Sequence, residues 1–278
     1  MIPSVVMSDR TAAIGFFGTF IQGLVQFCLV YYLPLYYEGV KGYSSIIAGV
    51  ALFPQLLGSG PATVVTGLVI AKTHLTRPFS LLGWLLFAYG SMELILLDEK
   101  TSVYSWIVLN IPSGIGIGIL FSSLTMSTQA SAENRADCTA EERVRVKAIA
   151  ASLSPFFRVL GQACGIVIGQ AAFTNRMAAQ LGREAAIDAA ATPKQLKILP
   201  KDAPERLEAT SAFVAALRTV WWVVLGVAAL MLVLTFFTRD FALVRPRDES
   251  QLRVEDGEKN VGSEETVMEC ASSEGDAK

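Results

Sequence analysis

A single arginine, Arg158, stands in the apolar run from Ala148 to Asn175, which carries no other charged residue. A guanidinium that deep in an apolar helix is costly to desolvate and needs polar company. At about 100° per residue, Arg158, Gln162, Gly165 and Gly169 fall on one helical face, so a cation, an amide and a groove of small residues share a stripe. Such a stripe can contact a polar solute or gate its path. The alternative is a structural arginine that snorkels to the interface or binds backbone carbonyls. Neutral polar side chains in other apolar runs extend the candidate lining: Gln22 and Gln26, Gln55, Asn110 and Gln129, and Gln170 in the same run as Arg158.

Other reactive types read more plainly. Glu93 could carry a proton, but its place near the end of its run suits an interfacial carboxylate. His74, the sole histidine, lies between Lys72 and Arg77 and reads as a solvated loop residue. Tyr31, Tyr32, Tyr36 and Tyr37 suit an aromatic belt at a membrane interface, or alternatively part of a pocket. Gly114 with Gly118, and Gly161, Gly165 and Gly169, have the spacing that lets helices approach closely. Pro54, Pro61, Pro112 and Pro155 lie inside apolar runs and should kink them. Cys28, Cys138, Cys164 and Cys270 show neither disulfide nor metal-ligand spacing, so no metal and no cofactor is expected. HExxH, GxSxG and P-loop patterns are absent, and an enzyme is not expected.

The elements that must carry these residues follow from hydropathy. Apolar residues make up 52% of the 278 and charged residues 17%, a balance that points to a bilayer as solvent. Six stretches reach the roughly 20 apolar residues needed to cross it. The expected spans are 12–37, 44–71, 79–97, 103–129, 148–173 and 214–238, within a transmembrane domain 1–240. Lysine and arginine cluster on one side of these spans: Arg10, Lys72, Arg77, Arg135, Arg143, Arg145, Lys147, Arg239, Arg245 and Arg247 face only Lys41 and Lys100 in the opposite short loops. Both termini are therefore expected in the cytoplasm, with 174–213 as a long external loop and a capped helix start near Asp202 and Pro204. Residues 241–278 read as a disordered acidic tail; from Asp248 onward ten acids oppose three bases. The first span is expected to serve as its own insertion signal. Basic residues form no stripe with aromatics, so no nucleic-acid partner is expected.

Polar side chains are distributed polar, polar, apolar, twice over. That recurrence suits a three-plus-three inverted repeat, with spans one, two, four and five lining a cavity. The third and sixth spans, the latter opening on Trp221, Trp222 and Val223, would face lipid.

Particular strings sharpen this. YYLPLYYEGVKGYSSIIAGVALFPQ from Tyr31, WIVLNIPSGIGIGILF from Trp106 and FFRVLGQACGIVIG from Phe156 resemble the ninth to fourteenth spans of fungal fourteen-span drug:proton antiporters of the major facilitator superfamily. The resemblance covers about Thr11 to Arg239 and implies an all-α, six-helix C-terminal half of that fold. It further implies proton-coupled export of small lipophilic substrates across the plasma membrane or a vacuolar membrane. Arg158 matches an arginine the family commonly carries. Two positions depart: Ser45 stands where proline is usual, and Glu93 where a small or apolar residue is usual. The resemblance also expects eight further spans and the proton-coupling residues in an N-terminal half, without which six spans should not pump. The competing reading is a non-transporting membrane protein, a decayed paralogue or a partner subunit.

Overall fold

The structure, a computed structural model, describes residues 10–95, 103–133, 140–181 and 204–238. Asp202, most of the expected external loop and the acidic tail lie outside the described residues.

Seven helices follow in the described residues: α1 Arg10–Gly39, α2 Ser45–Val50, α3 Phe53–Thr73, α4 Arg77–Ile95, α5 Val103–Glu133, α6 Ala140–Leu181 and α7 Pro204–Phe236. Six segments are long and apolar enough to cross a membrane, with α2 and α3 counting together as Ser45–Thr73. The break between those two has a local cause. Pro54 has no N–H to donate and restricts the residue before it, so α2 ends at Val50 and α3 starts afresh with proline in its first turn. Ser44 caps α2, its Oγ accepting from the Ile47 N–H at 3.4 Å. At the other end of α3, His74 adopts φ 57° and its N–H donates to Ile70 O at 2.8 Å. The expected loop histidine is thus a half-buried left-handed C-cap. With 42 residues, α6 extends about 63 Å, roughly twice the hydrocarbon thickness, so it continues past the bilayer core.

The helices pack by exchange between the two triplets. α3 lies along α5, α6 lies along α1, and α1 crosses α5 in the interior. α4 packs on α5 and α7, while α7 also covers α1 and α6. The two long crossings share one register. Gly23 of α1 sits on the carbonyl of Arg158, and Gly161 of α6 sits on the carbonyl of Phe20. In the other triplet, Gly114 of α5 sits on the carbonyl of Gln55, and Gly58 of α3 lies by the carbonyl of Ile111. Residues 20 and 23 therefore correspond to 111 and 114, and residues 55 and 58 to 158 and 161. Every one of these close approaches is made by glycine, because a Cβ would occupy space held by backbone.

The third and sixth spans each bury one face and expose another, the exposed face carrying Leu82, Leu85 and Tyr89 of α4 and Leu230, Val233 and Phe236 of α7. Trp84 and Phe87 of α4 and Trp221 and Val224 of α7 are fully buried, whereas Trp222 is exposed. The most exposed helix is α3, where Leu57, Val64, Val65 and Leu68 face outward. Apolar composition could not separate these cases, since lipid tails and neighbouring helices are equally apolar surroundings.

Candidate substrate-lining site

Arg158 is held where α6 meets α1 and α5. Glycine at 23 and 161 brings the α1 and α6 backbones into direct contact, which carries the Arg158 side chain across the face of α1. Its Nε donates to Gln22 Oε1 at 2.9 Å and its Nη2 to Thr125 Oγ1 at 3.0 Å. The guanidinium carbon lies 3.8 Å from the Phe121 ring centroid. Gln22 in turn donates from Nε2 to Gln26 Oε1 at 3.0 Å, and Thr125 donates its hydroxyl to Phe121 O at 2.7 Å. Arg158 is only 8% exposed. The snorkelling and carbonyl-binding alternatives therefore give way to a cluster of side chains from three helices, with neutral acceptors fixed by their own hydrogen bonds.

The remaining candidates fall elsewhere. Asn110 Nδ2 donates to Tyr37 Oη at 2.9 Å, joining α5 to α1, and Ser113 Oγ donates to Asn110 O. Asn110 is 15 residues from Thr125 on α5, about 22 Å along the axis, so this is a separate polar junction. Gln55 is buried against Gly114, about 17 Å along α5 from Thr125, and neither of its amide atoms finds a partner among the described residues. Gln162 is half-buried and makes no hydrogen bond among the described residues. Gln170 Oε1 accepts from Tyr32 Oη at 3.3 Å. Arg158, Gln22 and Gln26 are thus brought together, while Gln55, Asn110 and Gln162 are not part of that cluster.

The glycine series packs as follows: Gly161 and Gly165 lie on the Phe20 and Leu24 carbonyls, Gly169 against the Tyr32 ring, and Gly114 and Gly118 on the Gln55 and Ser59 carbonyls. Tyr32, Tyr36 and Tyr37 are buried, so three of the four tyrosines expected in an interface belt are interior residues; Tyr31 alone is exposed. The reason is their spacing, which wraps around α1, a helix surrounded by α5, α6 and α7. Glu93 is half-buried near the end of α4. Sequence reasoning passed over Thr125 and Phe121. Threonine and phenylalanine are unremarkable in an apolar run, and only the α5–α6 approach gives them a cation.

A buried cation–amide cluster inside a polytopic six-span helical bundle defines an integral, multi-pass membrane protein with the architecture of half a transporter. No family model matches the chain. Its sequence is 34% identical to the "MFS transporter L2" of a Phoma species over 275 residues, covering 94% of this chain and 44% of that protein. It is 28% identical to the "Efflux pump FUS6" of Gibberella fujikuroi, covering 96% of this chain and 49% of the pump. It is also 28% identical to the "MFS-type efflux pump LUC4" of a Fusarium species, with 99% and 48% covered. The chain belongs with these fungal major facilitator transporters, and it spans somewhat less than half the length of the curated relatives it matches.

Proposed function

We propose that the chain forms the C-terminal half of a fourteen-span, proton-coupled exporter that clears small amphipathic toxins, drugs or secondary metabolites from the cell. The observation that carries this reading is the Arg158 cluster, a buried cation held by α1, α5 and α6 in a bundle whose relatives are named as efflux pumps. Intramembrane charges of this kind mark solute pathways. The solute path lies beside α1 and α5, and the N-terminal half supplies the second wall and the proton-coupling acid. In this reading the protein works in the plasma membrane with both termini in the cytoplasm, as the lysine and arginine distribution favours.

The test is accumulation of a lipophilic fluorescent dye in yeast lacking their own pumps. Cells expressing the full-length protein should retain several-fold less dye than empty-vector cells, and a protonophore should abolish the difference. Equal retention across a chemically varied dye panel, with the protein present at the cell surface, would instead support a non-transporting membrane protein. Cysteines introduced between residues 182 and 203 should react with an impermeant maleimide on intact cells; reaction only after permeabilisation reverses the orientation.

A further inference from the structure

The partners of Arg158 are all neutral: Gln22 Oε1, Thr125 Oγ1 and the Phe121 ring. Among the described residues, no carboxylate reaches the guanidinium. Glu38 is 16 residues from Gln22 on α1, about 24 Å away along the axis. Glu93 lies beyond Gly90 of α4, which packs on Ser113 of α5, and Ser113 is 12 residues or about 18 Å from Thr125. Neutral acceptors solvate a buried cation without cancelling its charge, so the field at the site stays positive in a low-dielectric setting.

The directions already occupied decide what can approach. Gln22 takes the Nε edge, Thr125 takes one hydrogen of Nη2, and Phe121 covers one face of the plane. Of the five N–H donors of a guanidinium, the second Nη2 hydrogen and both on Nη1 remain. One hydrogen of Nη1 lies beside Nη2 on the terminal edge while the other points back toward Cδ, and Nη1 makes no hydrogen bond among the described residues. That edge presents two parallel N–H donors, which matches the two oxygens of a carboxylate. Phe121 is 38% exposed beside it and provides apolar surface for the rest of a ligand.

We infer that the Arg158 site takes the anionic head of an amphipathic carboxylic acid, with the apolar body lying along Phe121, and that it disfavours cationic amphipaths. This rests on the exporter reading for its biological meaning but not for its test. Gln22 and Thr125 act as positioning residues that turn the terminal edge outward.

The experiment uses the full-length protein in nanodiscs of neutral lipid and three fluorescent probes sharing one body: pyrenebutanoate, pyrenebutanamide and a pyrenebutyl trimethylammonium salt. The acid should bind about tenfold or more tighter than the amide at neutral pH, and the cation should bind weakest. Arg158→Gln should bring the acid-to-amide ratio close to one, chiefly through weaker binding of the acid. Glutamine fits this backbone crossing, since Gln55 occupies the matching place in the other triplet. Arg158→Lys, which keeps the charge and loses the planar fork, should retain an intermediate ratio even if the glutamine variant folds poorly. Equal binding of acid and amide by the unmodified protein would overturn the inference and point to an acid of the other half as the partner of Arg158. A ratio that survives Arg158→Gln would overturn it as well. Absence of dye efflux together with intact acid selectivity would sink the exporter reading and leave the anion site standing.

Discussion

Replacing Gly161 with alanine tests whether the two long crossings hold the bundle together. A Cβ at position 161 would lie 2.8 Å from the carbonyl carbon of Phe20 and closer still to its oxygen. Ordinary carbon contacts begin near 3.4 Å, so α1 and α6 must separate by at least about 0.6 Å for the carbon alone. The obstacle is backbone, and no side-chain rotation relieves it. A shift of that size loosens Gly165 on Leu24 and lengthens the Arg158–Gln22 bond, because all lie on the same interface. Overpacking of a closely fitted contact costs about 1–3 kcal/mol. Gly226 of α7 supplies the contrast, since a Cβ there meets nothing within 4 Å. Gly226→Ala should stabilise its helix by roughly 0.5–1 kcal/mol through lost backbone freedom alone. Thermal unfolding of the purified protein in detergent, followed by tryptophan fluorescence, separates the two. Gly161→Ala should melt several degrees below the unmodified protein, and Gly226→Ala at or slightly above it. If both alanine variants melt alike, the close crossing contributes no specificity and the reasoning fails.

Gln55→Leu should raise stability by about 1–2 kcal/mol, because it removes a buried amide with no partner among the described residues; a loss of stability in the same melting assay would mean that a further group satisfies it. Gln22→Leu should cost about 1.5–3 kcal/mol by orphaning Arg158 Nε, and a double-mutant cycle with Arg158→Gln should recover much of that loss. Additive losses would show that the pair does not interact. Tyr37→Phe should cost about 1 kcal/mol by removing the acceptor of Asn110 Nδ2, measured by the shift in its melting curve. Arg77 Nη2 donates to Phe236 O at 2.6 Å and closes the end of α7 against α4, so Arg77→Ala should leave global stability nearly unchanged and speed amide exchange in the last turn of α7.

The all-α class and the six membrane spans were legible from the sequence because each run is nearly free of charge and long enough to satisfy its backbone internally across a bilayer. Arg158 and Gln22 were legible as candidates for the same reason: polar atoms are scarce in such runs, and each must find company. What the sequence could not tell is which company. Whether Trp221 meets lipid or neighbouring helices, whether Tyr37 sits in a belt or against Asn110, and whether Arg158 pairs with Gln22 and Thr125 or with Gln55 depend on how the helices are exchanged between the triplets. Hydropathy is blind there, since helix surfaces and lipid tails are equally apolar. The register of the glycine crossings decides it, and that register is a property of two helices meeting and not of either sequence segment alone.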